Sequence, residues 1–160
     1  MARKYLQVRS GRIGLISDTH GLVRPEALTA LTGSELIIHA GDIGKPEVIE
    51  ALKTIAPVIA IRGNNDRGSW AKKIPDLLDL RINGIKIHVI HNVNELIDGG
   101  QGFQAVFSGH SHKPSVMTKD GVLFINPGSA GPRRFKLPIA VAQLRINGAK
   151  MHAKILNLEV

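Results

Sequence analysis

Apolar residues fall in short blocks along this chain, and Leu36 to Asp42 shows the arrangement most clearly: Leu36-Ile37-Ile38-His39-Ala40, then Gly41 and an acid. Blocks of this kind predict strands at Arg12 to Ser17, Leu36 to Ala40 and Val58 to Ile61. Between them, Pro25 to about Leu31 and Pro46 to about Lys53 are predicted as helices. Both begin with proline, whose missing N–H is not needed in a first helical turn. Strands alternating with short helices imply right-handed βαβ units and parallel pairing. Beyond Asp66 the pattern changes. Asp79 to Ile82 and Ile85 to Ile90 flank Asn83-Gly84, Ser115 to Lys119 and Val122 to Ile125 flank Asp120-Gly121, and Ile139 to Ile146 and Lys150 to Leu156 flank Asn147-Gly148. Asn-Gly and Asp-Gly tolerate the positive φ of a type I′ turn, so these pairs predict hairpins. Ala105 to Ser108 is a further strand, and a weak helical stretch around Asn94 to Ile97 ends at Gly99-Gly100. Residues 1–11 form a basic lead-in, readable as a strand at Tyr5 to Arg9 or as a frayed tail. The expected architecture is two mixed sheets packed face to face with helices outside, in one domain spanning residues 1–160.

Composition narrows the chemistry. Cysteine is absent, so any bound metal is held by oxygen and imidazole nitrogen. No window approaches the roughly 20 apolar residues of a membrane span and no apolar signal core follows the N-terminus, so a cytoplasmic protein with no membrane partner is expected. The net charge of +8 raises nucleic-acid binding as a candidate. The basic groups are scattered, however, and aromatic residues make up only 4% of the chain, without the interleaving typical of single-strand binders. A solvated basic surface is the preferred reading, and a nucleic-acid partner is not indicated.

Candidate ligands stand where the predicted strands end. Asp18 and His20 follow the first, Asp42 the second, Asn64 the third, His91 follows Ile85 to Ile90, and His110 and His112 follow Ala105 to Ser108. In open α/β sheets reactive groups collect beyond the carboxyl ends of strands. Each piece alone has an ordinary explanation: a turn Asp beside a polar His, a surface His pair, a Gly-Asn loop.

Together they are more specific. The motifs Asp18-x-His20, Gly41-Asp42, Gly63-Asn64, His91 and Gly109-His110-x-His112 resemble the signature of the calcineurin-like metallophosphoesterases. Asn126-Pro127-Gly128-Ser129 is similar to a loop of their small prokaryotic, YfcE-like phosphodiesterase branch. The resemblance implies an α/β fold, a four-layer α/β/β/α sandwich, with a binuclear metal centre. Asp18, His20, Asp42 and His112 would hold one divalent ion, and Asp42, Asn64, His91 and His110 the other, with Asp42 bridging. Manganese is the first expectation, and iron, nickel and zinc are compatible with the same ligands. The implied activity is hydrolysis of a small phosphodiester by a metal-bridging hydroxide, with Asp42, Asn64 and His91 as catalytic residues. Two divalent ions against two carboxylates leave a formal +2 that attracts a phosphate ester. Many relatives carry His where Asn65 stands, and its loss puts monoesterase activity in doubt. Asn65 and Arg67 are expected to bind substrate, although a salt-bridged Asp66-Arg67 loop pair is an alternative. His39 is expected to be a core histidine with a hydrogen-bond partner, and His88 and His152 half-exposed strand residues. A nuclease, and an interaction scaffold resembling the related retromer subunit, are the rival functions; a homo-oligomer stays open.

Overall fold

The computed structural model describes residues 2–160. The first half folds as its periodicity demands. Strand β2 (Arg12–Ile16) leads through helix α1 (Pro25–Leu31) to β3 (Leu36–His39), and helix α2 (Pro46–Lys53) connects β3 to β4 (Val58–Ala60). These strands are parallel neighbours, and the sheet is completed by an antiparallel hairpin of β10 (Ala140–Asn147) and β11 (Lys150–Asn157), in the order β11-β10-β2-β3-β4.

The second sheet has six strands. β1 (Ala2–Leu6), β5 (Leu77–Ile82), β6 (Ile85–Ile90), β7 (Ala105–Phe107), β8 (Ser115–Lys119) and β9 (Val122–Asn126) run in the order β1-β5-β6-β7-β9-β8. The lead-in thus forms a parallel edge strand three residues nearer the N-terminus than the alternation around Tyr5 to Arg9 suggests. Its exit is pinned by Asn83, whose side chain accepts from the Val8 N–H at 2.8 Å and donates to the Val8 carbonyl at 2.9 Å.

Alternation along the strands sorts the side chains into layers. Ile13, Leu15, Leu36 and Ile38 point between the sheets and meet Leu80, Ile87, Phe107 and Ile125 of the other sheet. Ile16 and Ile37 point outward and are covered by Ala27 and Leu31 of α1 and Val48 and Leu52 of α2. Each such fully buried branched side chain stabilises the fold by about 1.5–3 kcal/mol relative to exposure. On the far side, Ile90, Val106 and Val122 lie with Leu96 beneath two short 3-10 turns, Val93–Glu95 and Asp98–Gly100. That outer layer is thin, and the weak helical stretch around Asn94 to Ile97 is realised as these turns. The result is a mixed α/β architecture of two mixed sheets with covering layers on both sides.

Two hairpins behave as their turn residues predict, with positive φ at Asn83, Gly84, Asp120 and Gly121. The third differs. Asn147 pairs with Lys150, so the loop residues are Gly148-Ala149, and only Gly148 has positive φ. Glycine first is the sequence of a type II′ turn, which fits the same two-residue gap one position later. No helix among the described residues is long and apolar enough to cross a membrane.

Candidate metal centre

Because β2, β3 and β4 run parallel, as do β6 and β7, their carboxyl ends share one rim, and the loops that follow converge there. Backbone bonds stitch these loops together. Asp18 N–H donates to the Gly41 carbonyl at 3.0 Å, His20 N–H to the Asp42 carbonyl at 3.0 Å, and Gly109 N–H to the His91 carbonyl at 3.0 Å. Asp18, His20, Asp42, His110 and His112 all hold φ between 47° and 69°, a left-handed conformation uncommon outside glycine. Such strain persists only where surroundings impose it, and it clusters at functional sites. The loops also meet at very short range. A Cβ on Gly63 would collide with the Asp42 carboxylate, and one on Gly109 with Ser17 Oγ.

The side chains form a polar cluster. His91 Nε2 lies 3.3 Å from Asp42 Oδ2 and 3.8 Å from Asp18 Oδ1; His112 Nε2 is 3.3 Å from Asp18 Oδ1. His20 Nε2 lies 3.9 Å from Asp18 Oδ1 and 3.8 Å from Asp42 Oδ2. The Nδ1 of His91 is committed to the Ala40 carbonyl at 2.7 Å, which leaves Nε2 turned to the carboxylates. Asp18 is fixed through its other oxygen, Oδ2, which accepts from Ser17 Oγ at 2.7 Å and from the His110 N–H at 3.0 Å, and its carbonyl accepts from Ser129 Oγ at 3.0 Å. Asp42 is gripped by Asn65, whose backbone N–H donates to Oδ1 at 3.0 Å and whose Nδ2 donates to Oδ2 at 3.1 Å.

The electrostatics suit cations. Burial pushes the Asp42 carboxyl up, but the His91 ring and the Asn65 N–H outweigh it and hold the acid well below the usual carboxylate range. Asp18 is also held low, burial being overcome by the His112 ring, the Ser17 hydroxyl and the charge of His91. Burial opposes protonation of His91, yet Asp42 and the Ala40 carbonyl raise its pKa above the ordinary value.

Two groups of donors lie close enough to share an ion, Asp18 with His20 and His112, and Asp18 with Asp42 and His91. In this arrangement Asp18 belongs to both groups, while the Asp42 carboxylate faces His20 as well as His91. Four buried atoms in the cluster lack any hydrogen-bond partner: Asp18 Oδ1, His20 Nε2, His91 Nε2 and His112 Nδ1. Buried polar atoms are normally paired, and an orphaned set of carboxylate and imidazole donors fits divalent metal ions. Asn64 and His110 lie beside this cluster, lining with His91, Arg62, Asp76 and Glu95 an open groove of about 560 Å³. The His110 ring meets His91 edge-on at 5.2 Å between centroids.

Several residues sit otherwise than their sequence context suggests. Arg67 is exposed and does not line the groove, and the Asp66-Arg67 ion pair does not form. Asp66 is buried instead, because its carboxylate accepts from the backbone N–H of Ile43 at 3.0 Å, Gly44 at 2.9 Å and Gly63 at 2.9 Å. An acid at the close of a Gly-Asn-Asn run is a natural acceptor for loop N–H groups, a signal that could have marked it. His88 is buried against Asp79 at 2.8 Å and Phe103, since the outer turns cover that face of β6. His152 stays exposed on β11. His39 is a core histidine, as expected: Gly41 N–H donates to Nδ1 at 3.1 Å, and Nε2 is 3.0 Å from Thr19 Oγ1.

Comparison with known proteins agrees with this geometry. Residues 12–149 match the family described as the calcineurin-like phosphoesterase superfamily domain. A probable metallophosphoesterase of Methanothermobacter thermautotrophicus is 34% identical over 160 residues, covering 90% of this chain and 91% of its own. Among solved structures, an archaeal protein characterised as a novel phosphodiesterase superposes with a TM-score of 0.75 at 26% identity, covering 91% of this chain and 99% of its own. The phosphoesterase YfcE from E. coli superposes with a TM-score of 0.66 at 19% identity, over 92% of this chain and 100% of its own. This chain therefore belongs to the calcineurin-like phosphoesterase superfamily and is a metallophosphoesterase.

Proposed function

We propose that the protein is a phosphodiesterase whose convergent loops hold two divalent cations. The observation that carries the reading is the set of orphaned carboxylate and imidazole atoms at the shared rim of both sheets. Asp18, His20, Asp42, His91 and His112 would hold the ions, with Asn64 and His110 completing the set from the groove side. When bound, such ions supply Lewis acidity toward the ester oxygens and a water of lowered pKa.

The chain's own residues do the rest. Asp18 and Asp42 remain ionised, for the reasons given above, and supply the negative charge that keeps two cations close. The Ala40 carbonyl and the Asn65 amide orient His91 and Asp42. The groove past Asn64 and His110 is open enough to admit an ester with two substituents. Asn65 stands where an imidazole proton donor is found in many relatives, and its amide is spent on Asp42. The reading therefore favours diesters with stable leaving groups over monoesters and alkyl esters.

The test is metal content together with turnover. Protein stripped with chelator and reloaded with Mn²⁺ should bind two ions per chain and hydrolyse bis(p-nitrophenyl) phosphate faster than p-nitrophenyl phosphate. A stoichiometry that stays at one, or a preference for the monoester, overturns the proposal. Reloading with iron, nickel and zinc in parallel identifies which of these ions supports the highest rate.

A further inference from the structure

Helix α1 covers only part of the outer face of the five-stranded sheet. It ends at Leu31, and the chain turns through Thr32, Gly33 and Ser34 before entering β3. Past that turn, three basic side chains lie directly opposite one another on adjacent strands. Arg145 of β10 pairs with Arg12 of β2 on one side and with His152 of β11 on the other. In the next row Gln143 pairs with Lys154. Since positions two apart share a face, all five side chains stand on the same side. With the Thr32-Gly33-Ser34 turn as a wall they line a groove of about 400 Å³. Gly33 leaves room for the guanidinium: even a Cβ there would sit 3.6 Å from Arg12 Nη1.

Among the described residues nothing neutralises this row: no carboxylate forms an ion pair with Arg12, Arg145 or Lys154, and the recorded surface pairs involve Lys53 with Glu50 and Arg62 with Asp76. Glu35, close in sequence to the turn, is spent on the backbone N–H groups of Arg9 and Ser10. The carbonyls at the end of α1 are taken as well: Leu28 by Thr32 Oγ1, Thr29 by Thr32 N–H, Ala30 by Gln143 Nε2 and Leu31 by Ser34 N–H. Like charges directly opposite on neighbouring strands are destabilising, so the row costs stability unless an anion lies across it.

We propose that this groove binds a small molecule carrying two adjacent phosphates, such as a nucleoside diphosphate. Neighbouring strands are about 4.8 Å apart, so Arg12, Arg145 and His152 span roughly 10 Å, with Lys154 about 7 Å away along β11. That matches two linked phosphates with their oxygens shared among guanidinium forks. The volume is that of a small-molecule site, closed on one side by the end of α1. A nucleic-acid backbone would need a broad continuing basic track, whereas the next outward pair is the neutral Asn147 with Lys150, which narrows the row from three basic groups to one. The site is separate from the metal centre. Arg12 opens β2 and Asp18 follows its far end, a distance of about 20 Å along an extended strand.

The experiment is calorimetric titration of Mn²⁺-loaded protein with ADP at about 0.15 M salt, on wild type and on Arg12→Gln/Arg145→Gln. Losing two charge-assisted contacts should weaken the ADP site by about 100-fold or more, while hydrolysis of bis(p-nitrophenyl) phosphate stays unchanged and the melting temperature of ligand-free protein is kept or raised. If the double variant proves poorly folded, Lys154→Gln carries the same test with an expected loss of about tenfold. Equal ADP binding by wild type and a folded variant overturns the proposal, because the ligand is then held at the metal centre alone. So does absence of ADP binding up to about 1 mM. Tighter binding of a short single-stranded oligonucleotide than of ADP, with steep salt dependence, also overturns it in favour of a nucleic-acid surface. Each of these outcomes leaves the phosphodiesterase reading intact, since that reading is scored by diester turnover.

Discussion

Replacing Asp66 with alanine is expected to loosen the metal site without touching any candidate ligand. The Asp66 carboxylate ties the loop after β3 to the loop after β4, so it fixes Asp42 relative to Asn64. Alanine leaves three N–H donors without their acceptor. Ile43 is buried, so its N–H bears the full cost of an unsatisfied donor, about 2 kcal/mol; Gly44 and Gly63 are partly reached by water and add about 1 kcal/mol each. The expected loss is about 4 kcal/mol. Asp66→Asn keeps the shape, and with its carbonyl oxygen in place of Oδ2 it retains the bonds to Ile43 and Gly63, so its loss should be about 1–2 kcal/mol. Urea unfolding of chelator-treated protein, followed by circular dichroism at unchanged slope, measures both values. Manganese titration should show weaker binding in the same order, alanine below asparagine below wild type. An alanine variant within about 1 kcal/mol of wild type, or alanine and asparagine variants of equal stability, would refute the assigned acceptor geometry.

Gly63→Ala should abolish diester turnover and lower the melting temperature, because its Cβ overlaps the Asp42 carboxylate; a variant with wild-type rates would show that the loop yields freely. His39 is neutral in the fold, with burial lowering its pKa from 6.5 to about 4, and Gly41 N–H occupies the nitrogen that would take the proton. Since the folded pKa lies below the unfolded one, the unfolded chain binds the extra proton. Stability should therefore fall as pH drops from about 6.5 through about 4, by up to about 3 kcal/mol, and His39→Asn should flatten urea midpoints across that window. Chelator should abolish turnover and lower the melting temperature, and free Mn²⁺ at about 100 times its Kd should restore about 2.7 kcal/mol for each ion bound; a melting temperature indifferent to metal would argue against ions in this cluster.

Much of this protein was legible from local pattern. The apolar blocks of the first half located β2, β3, β4 and both helices to within a residue or two, since a strand buried on both faces must be apolar throughout and proline can open a helix but not continue it. The acids and histidines at strand ends were legible for a related reason: parallel strands present their carboxyl ends on one rim, so adjacency along the sheet follows once the strands are parallel. The Asn83-Gly84 and Asp120-Gly121 turns were equally local, because two residues of positive φ suffice to close a hairpin.

What only the tertiary structure decided depends on contacts between distant segments. His88 reads as a half-exposed strand residue until the turns after β6 fold over it, and Asp66 reads as a loop acid until Ile43 and Gly44 bring their N–H groups to it. The β10–β11 turn closes one residue later than Asn147-Gly148 suggests, because the register of eight paired positions outweighs the preference of a single dipeptide. Arg12, Arg145 and His152 look like scattered surface charge in the sequence. They form one row only because an antiparallel strand from the end of the chain pairs with a strand from its beginning. Periodicity and turn chemistry are properties of neighbours in the chain, so the sequence by itself determined the elements and their candidate ligands. Register, burial of polar groups and the meeting of like charges are properties of neighbours in space, and those were decided by how the two sheets assemble.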